Sequence, residues 1–190
     1  MFQDPTEYQR WGTKEHLEWV LNEAFKNRKK HTRGSLLKLS NKQFFDFGGC
    51  LDGSISLLCF LNLVKTKGDF FYFSDRNEIE DITASGCLSS SIFLIKLINS
   101  FKKDNVVKQV FNNDSIFLQK EKVFLKRNSL HNFPALRNLL IEGSWLQVAS
   151  QINLFEVHPE LYKLIEDQID PKINLGNSFT QAALEQSIEN

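Results

Sequence analysis

HTRGSLLKLSNKQFFDFGGCLDG, residues 31–53, reads as two short strands joined by a tight turn, with a glycine pair after the second. Alternation places Leu37 and Leu39 on one side and Lys38 and Ser40 on the other. Asn41-Lys42 falls where a two-residue hairpin turn belongs, without the favoured Asn-Gly. Gly48-Gly49 closes the second strand at a point where glycine permits positive φ. A hairpin over residues 35–47 built this way presents a surface and carries few groups able to do chemistry.

The 190 residues hold one good-sized domain or two very small ones. At 42% hydrophobic, with 17 Phe, the chain has ample material for a packed core. Lys+Arg and Asp+Glu balance at 23 each, so no long-range field draws the whole chain to nucleic acid or anionic lipid, although a local patch remains open. Cys50, Cys59 and Cys87 are an odd, widely spaced set without a CxxC or Cys/His cluster; they read as buried small residues in a reducing compartment. The segment MFQDPTEYQRWGTKEH lacks the apolar core of a signal peptide. The most apolar run, Ile55 to Val64, is far shorter than the roughly 20 residues of a membrane span. A soluble, cytoplasmic protein with no membrane insertion is expected.

Working outward, Thr13 can cap a first helix whose Leu17, Val20, Leu21, Ala24 and Phe25 form a full apolar stripe. It ends in the cations from Lys26 to Lys30, which suit the negative end of the helix dipole. Residues 55–64 predict a short buried helix capped by Ser54, and Lys67-Gly68 a turn. Phe70-Phe71-Tyr72-Phe73 reads as a strand buried on both faces or lying between sheet and helix. Residues 88–101 predict a second amphipathic helix, with Phe93, Leu94, Leu97, Ile98 and Phe101 along one side. Val106–Phe111 and Ile116–Leu125 read as strands, the latter split around Gln119-Lys120-Glu121. Pro134 suits the first turn of a helix carrying Leu136, Leu139, Leu140 and Leu146, and Pro159 opens another with Leu161, Leu164 and Ile165 inward. The order predicts an α+β fold, small antiparallel strand pairs packed with about five helices. Residues 1–170 read as a single domain and 171–190 as a C-terminal tail or linker.

Candidate sites are few. Lys26, Arg28, Lys29, Lys30 and Arg33, with His31 among them, form the densest charge cluster; it suits phosphate or an acidic partner, or is simply a solvated helix end without interleaved aromatics. Gly48–Gly53 is glycine-rich but is not GxGxxG and has no following GK[ST], so an ordinary turn outweighs a phosphate cradle. Asp75–Asp81 is acidic without the ligand spacing of a calcium loop, and reads as an exposed connection. His16, His31, His131 and His158 are scattered, with no Cys–His nucleophile pair legible. Trp145–Ile152 has the pattern of the first helix of a helix-turn-helix, but Pro159 would then break the recognition helix. No catalytic set, metal site or cofactor site emerges.

Thr32-Arg33-Gly34-Ser35-Leu36-Leu37-Lys38-Leu39 and Phe44-Phe45-Asp46-Phe47-Gly48 resemble the two strand motifs of the PATAN domain, the N-terminal module of PatA-like cyanobacterial response regulators. Leu88–Phe101 resembles that family's apolar helix. Trp145, Leu154 and His158-Pro159-Glu160-Leu161-Tyr162-Lys163-Leu164-Ile165 resemble its later part, so the likeness spans roughly residues 13–184. The tryptophan usual before the second strand is replaced by Lys42-Gln43, Gly49 stands where an arginine is common, and Tyr162-Lys163 replaces the second small-Pro step. The 190 residues hold no receiver domain, so the chain reads as a stand-alone relative or as the N-terminal half of a longer regulator. The resemblance implies a non-enzymatic signalling adaptor of a response-regulator-type system. Its implied roles lie in phototaxis or type IV pilus control, with a pilus motor ATPase or a photoreceptor as protein partner.

On this reading the edge of the 35–47 hairpin pairs with a partner strand, and the basic cluster steers an acidic partner. The alternative is a nucleic-acid-binding transcriptional regulator with a winged-helix-like part at residues 145–168. That stretch has one lysine, Lys163, and no arginine, which argues against it. A small-molecule sensor with a phenylalanine-lined pocket is the third reading.

Overall fold

The computed structural model describes residues 14–44 and 48–169. The fold is α+β, with eight α-helices and two antiparallel sheets among the described residues. The chain divides into two compact units, Met1–Leu97 and Ile98–Asn190.

In the first unit, α1 (Lys14–Trp19) runs on into a π-helical turn, Val20–Ala24. Leu17, Val20, Leu21, Ala24 and Phe25 are all buried, as their spacing predicts; the proposed cap at Thr13 lies outside the described residues. Strand β1 is Lys30–Thr32, and residues 33–43 then depart from the expected hairpin. They form one helix, α2 (Arg33–Gln43), capped by Thr32, whose Oγ1 accepts from Ser35 N at 3.2 Å. Leu36-Leu37-Lys38-Leu39 satisfies a period of 2 through Leu37 and Leu39 and a period of 3.6 through Leu36, Leu39 and Ser40. Leu36 and Ser40 are the residues that become buried, so the helical period wins. Asn41-Lys42 is therefore no turn, and most of the second expected strand lies outside the described residues. Gly48-Gly49 opens a helix, α3 (Gly48–Phe60), instead of closing a strand.

Strands β2 (Val64–Lys67) and β3 (Phe70–Phe73) complete a three-stranded sheet in the order β1-β3-β2. Their turn is Gly68-Asp69, with Gly68 at φ 58° in the first turn position, where a type II′ hairpin calls for glycine. No residue of β3 is fully buried: Phe71, Tyr72 and Phe73 are half-buried and Phe70 is exposed. Phe73 tilts against Phe25 with ring centroids 4.4 Å apart, whereas Phe70 is 37% exposed. The acidic run at 75–81 is likewise no loose connection. Asp75 caps α4 (Arg76–Ala84) by accepting from Asn77 N and Glu78 N, and Ile79 and Ile82 go into the core. A 3₁₀ turn, Cys87–Ser89, then leads to α5 (Ser91–Lys103), the amphipathic helix expected there.

The second unit differs from expectation at residues 106–110, at 145–152 and at 154–157, the last a strand that the sequence did not suggest. Val106–Val110, read as a strand from its valines, is a helical segment, α6. Val106, Val107 and Val110 fall on one helical face and are buried, so packing overrides β-branched propensity. Residues 145–152 are not a helix, and Leu146 lies beyond the helix that Pro134 opens. That helix, α7 (Pro134–Glu142), stops at Gly143, and β6 (Leu146–Val148) follows.

The other second-unit expectations hold. Strands β4 (Ile116–Gln119) and β5 (Lys122–Lys126) pair across Lys120-Glu121, both at positive φ as in a type I′ turn. With β7 (Leu154–Val157) they give the order β4-β5-β7-β6. Helix α8 (Pro159–Ile165) begins at its proline, with His158 Nδ1 accepting from Glu160 N at 3.2 Å.

Candidate functional site

Among the described residues, the five cations singled out by sequence divide into paired and unpaired groups. Lys26 Nζ lies 2.9 Å from Glu23 on the preceding turn. Arg33, the first residue of α2, forms a fork with Asp52 of α3: Nε donates to Oδ1 at 2.8 Å and a terminal nitrogen to Oδ2 at 2.6 Å. The carboxylate holds the Arg33 guanidinium above its ordinary range, first by hydrogen bonding and then by charge. Arg28, Lys29 and Lys30 are exposed, and Lys30 sits over the Phe70 ring at 4.9 Å. His31, between them, is buried; its Nδ1 is 2.9 Å from Ser35 Oγ. Burial lowers its pKa, the Arg28 charge lowers it further, and the Ala24 backbone opposes both.

The Arg33–Asp52 fork sits at the rim of a cavity of about 690 Å³ between α2, α3 and the β2–β3 turn. Its apolar wall is Leu36, Leu51, Ile55 and Phe71, so among the described residues a single phenylalanine lines it. Ser56, also in the wall, buries a hydroxyl with no hydrogen-bond partner among the described residues. The cavity is the size of a small-molecule site, but its strongest polar pair is satisfied internally. The glycines at 48–53 lie within α3 and form no phosphate loop.

Other sequence candidates end in structural roles. His16 stacks on Phe44 at 4.0 Å, and His158 caps α8 while lying edge-on to Trp145. Burial pushes the Cys59 thiol up to about 11 and raises Cys87, with Asn22 Nδ2 donating to the Cys87 sulfur as a counterweight. These two thiols stay protonated at neutral pH and are poor nucleophiles. Among the described residues no group of three or more His, Cys, Asp or Glu is placed to hold a metal ion, and no helix is long and apolar enough to cross a membrane.

The edge of the second sheet went unseen in the sequence. β6 is an outer strand, with Val148 62% exposed and Ile152, in the following loop, 73% exposed. From Gly143 to Phe155 no residue is charged. Trp145 O accepts from His158 N, and Ala149 N donates to Leu154 O. Antiparallel alternation then directs the backbone polar groups of Leu146 and Val148 away from β7, toward the open edge. The outer strands of the first sheet are guarded by contrast: β1 carries Lys30, and β2 carries Lys65 and Lys67. Compared with known protein families, curated proteins and solved structures, the chain matches none.

Proposed function

We propose that this chain is a non-enzymatic protein–protein interaction module, a signalling adaptor that takes an extended segment of its partner onto the open edge of β6. The observation that carries this reading is the uncharged edge strand with Val148 and Ile152 exposed beside it. A strand added there gains main-chain hydrogen bonds at Leu146 and Val148 and apolar contact with the two side chains. The edge first expected, at residues 35–47, is replaced by α2 over Arg33–Gln43, so the docking strand moves to the other sheet. The resemblance to the PATAN module, whose first strand motif falls here on α2 and whose second lies mostly outside the described residues, supplies the partners to test, a pilus motor ATPase or a photoreceptor.

The experiment is biolayer interferometry of the full chain against each of these two proteins, with Val148→Lys and Val148→Pro as variants. Lysine guards the edge, and proline removes an N–H that the β6–β7 ladder does not use. Binding that drops at least about tenfold in both variants, with unchanged circular dichroism, supports the reading. Absence of binding by the wild-type chain to either protein, or equal binding by the variants, refutes it.

A further inference from the structure

The three-stranded sheet has an outer face that no role assigned above uses. Alternate residues of a strand point to opposite faces. The register sets Lys30, Tyr72 and Lys65 in one row and Lys67 opposite Phe70 in another, all on the same side. The other side takes His31, Thr66 and Phe71 toward the cavity and core. The outer face is thus two aromatic rings on the central strand, flanked by one lysine on β1 and two on β2. Lys30, Lys65 and Lys67 are exposed and form no ion pair among the described residues, nor do Arg28 and Lys29 just before β1. Asp69, in the β2–β3 turn, is a carboxylate at its rim.

From this we infer that the outer face of the sheet binds single-stranded nucleic acid. Phe70 and Tyr72 are two residues apart on an extended strand, roughly 6.8 Å, a separation that lets two successive unstacked bases each meet a ring. Lysines on both flanking strands then lie along the path of the phosphates. A stretched acidic peptide would satisfy the lysines and leave the rings unused, and a duplex would hide its base faces from them. Lys30 over Phe70 marks the free state. A base that stacks on this ring displaces the ammonium, which stays within reach of the adjoining phosphate, so one weak exposed contact is exchanged for a stack and an ion pair.

The test is fluorescence anisotropy of the full chain with labelled ten-nucleotide oligo(U) and oligo(dT), titrated in salt from about 50 to 200 mM. Binding of either supports the site. The three sheet lysines predict a slope of log affinity against log salt of about −2. Lys65→Glu with Lys67→Glu flattens that slope and weakens binding. Phe70→Leu, which keeps an apolar side chain in the sheet and loses the ring, weakens binding by about five- to a hundredfold with the slope unchanged. No binding at about 100 µM protein overturns the inference, as does a Phe70→Leu variant that binds like the wild type. Equal affinity for decaglutamate, or tighter binding of a duplex of the same length, overturns it as well.

Discussion

Lys38 offers the sharpest test of the helix that replaces the expected hairpin. It lies in the middle of α2, and its side chain is exposed, so substitutions there act on the backbone with little loss of packing. Proline at 38 removes the N–H that bonds to the Gly34 carbonyl and drives its ring into that carbonyl, at a cost of about 3 kcal/mol. For a chain of this length that lowers Tm by roughly 6–12 °C, provided it melts as one cooperative unit. Lys38→Ala is the control; alanine is the better helix former, so stability rises by a few tenths of a kcal/mol, about 0.3. Lys42→Gly reads the same question by sign. It creates Asn-Gly, which would strengthen a hairpin turn, but near the end of a helix it costs up to about 1 kcal/mol. The assay is urea unfolding followed by far-ultraviolet circular dichroism and by tryptophan emission, with Trp19 and Trp145 reporting from different units. A Lys42→Gly variant more stable than the wild type, or a Lys38→Pro variant with an unmoved midpoint, would falsify the helix.

Two further outcomes follow from buried groups. His16 and His31 both have folded-state pKa values held below the ordinary 6.5 by burial. The unfolded chain therefore binds more protons, and their contribution to stability is present above pH about 6.5 and lost as pH falls below it. Urea midpoints measured from pH 7.5 to 5 should decline, and His31→Gln should reduce that slope; a flat profile refutes the assignment. Cys59, pushed up to about 11, should alkylate slowly with iodoacetamide at pH 7.5 in the native state. Mass-spectrometric mapping should show its labelling rise on unfolding, and rapid native labelling of the half-buried Cys59 would contradict the raised thiol pKa.

Several elements were legible from local pattern alone. The stripe Leu17, Val20, Leu21, Ala24 and Phe25 fits one period only, and it is buried as that period demands. Pro134 and Pro159 each begin a helix because their fixed φ suits the first turn, where no N–H is needed. The strands on either side of Lys120-Glu121 and the run Phe70–Phe73 were visible from their aromatic and β-branched content. Antiparallel strand sets among helices, hence the α+β class, followed from the order of these pieces. The densest charge cluster, Lys26 to Arg33, was also visible, but the pairing of Arg33 with Asp52 across α2 and α3 was not.

The remainder depended on partners distant in the chain. Trp145, Leu146, Val148, Ala149 and Ile152 have helical spacing, yet Leu146–Val148 becomes a strand because β7 offers it a ladder. Leu36 to Leu39 fits both periods, and only the burial of Leu36 and Ser40 selects the helix. The aromatic residues missing from the Lys26–Arg33 cluster in sequence are supplied by β3, some forty residues later, through the register that sets Lys30 opposite Tyr72. Side-chain period is a local property and can be read along the chain. Which face is buried, which edge stays open and which charges gather beside which rings are set by strand pairing, and pairing is made between segments the sequence keeps apart.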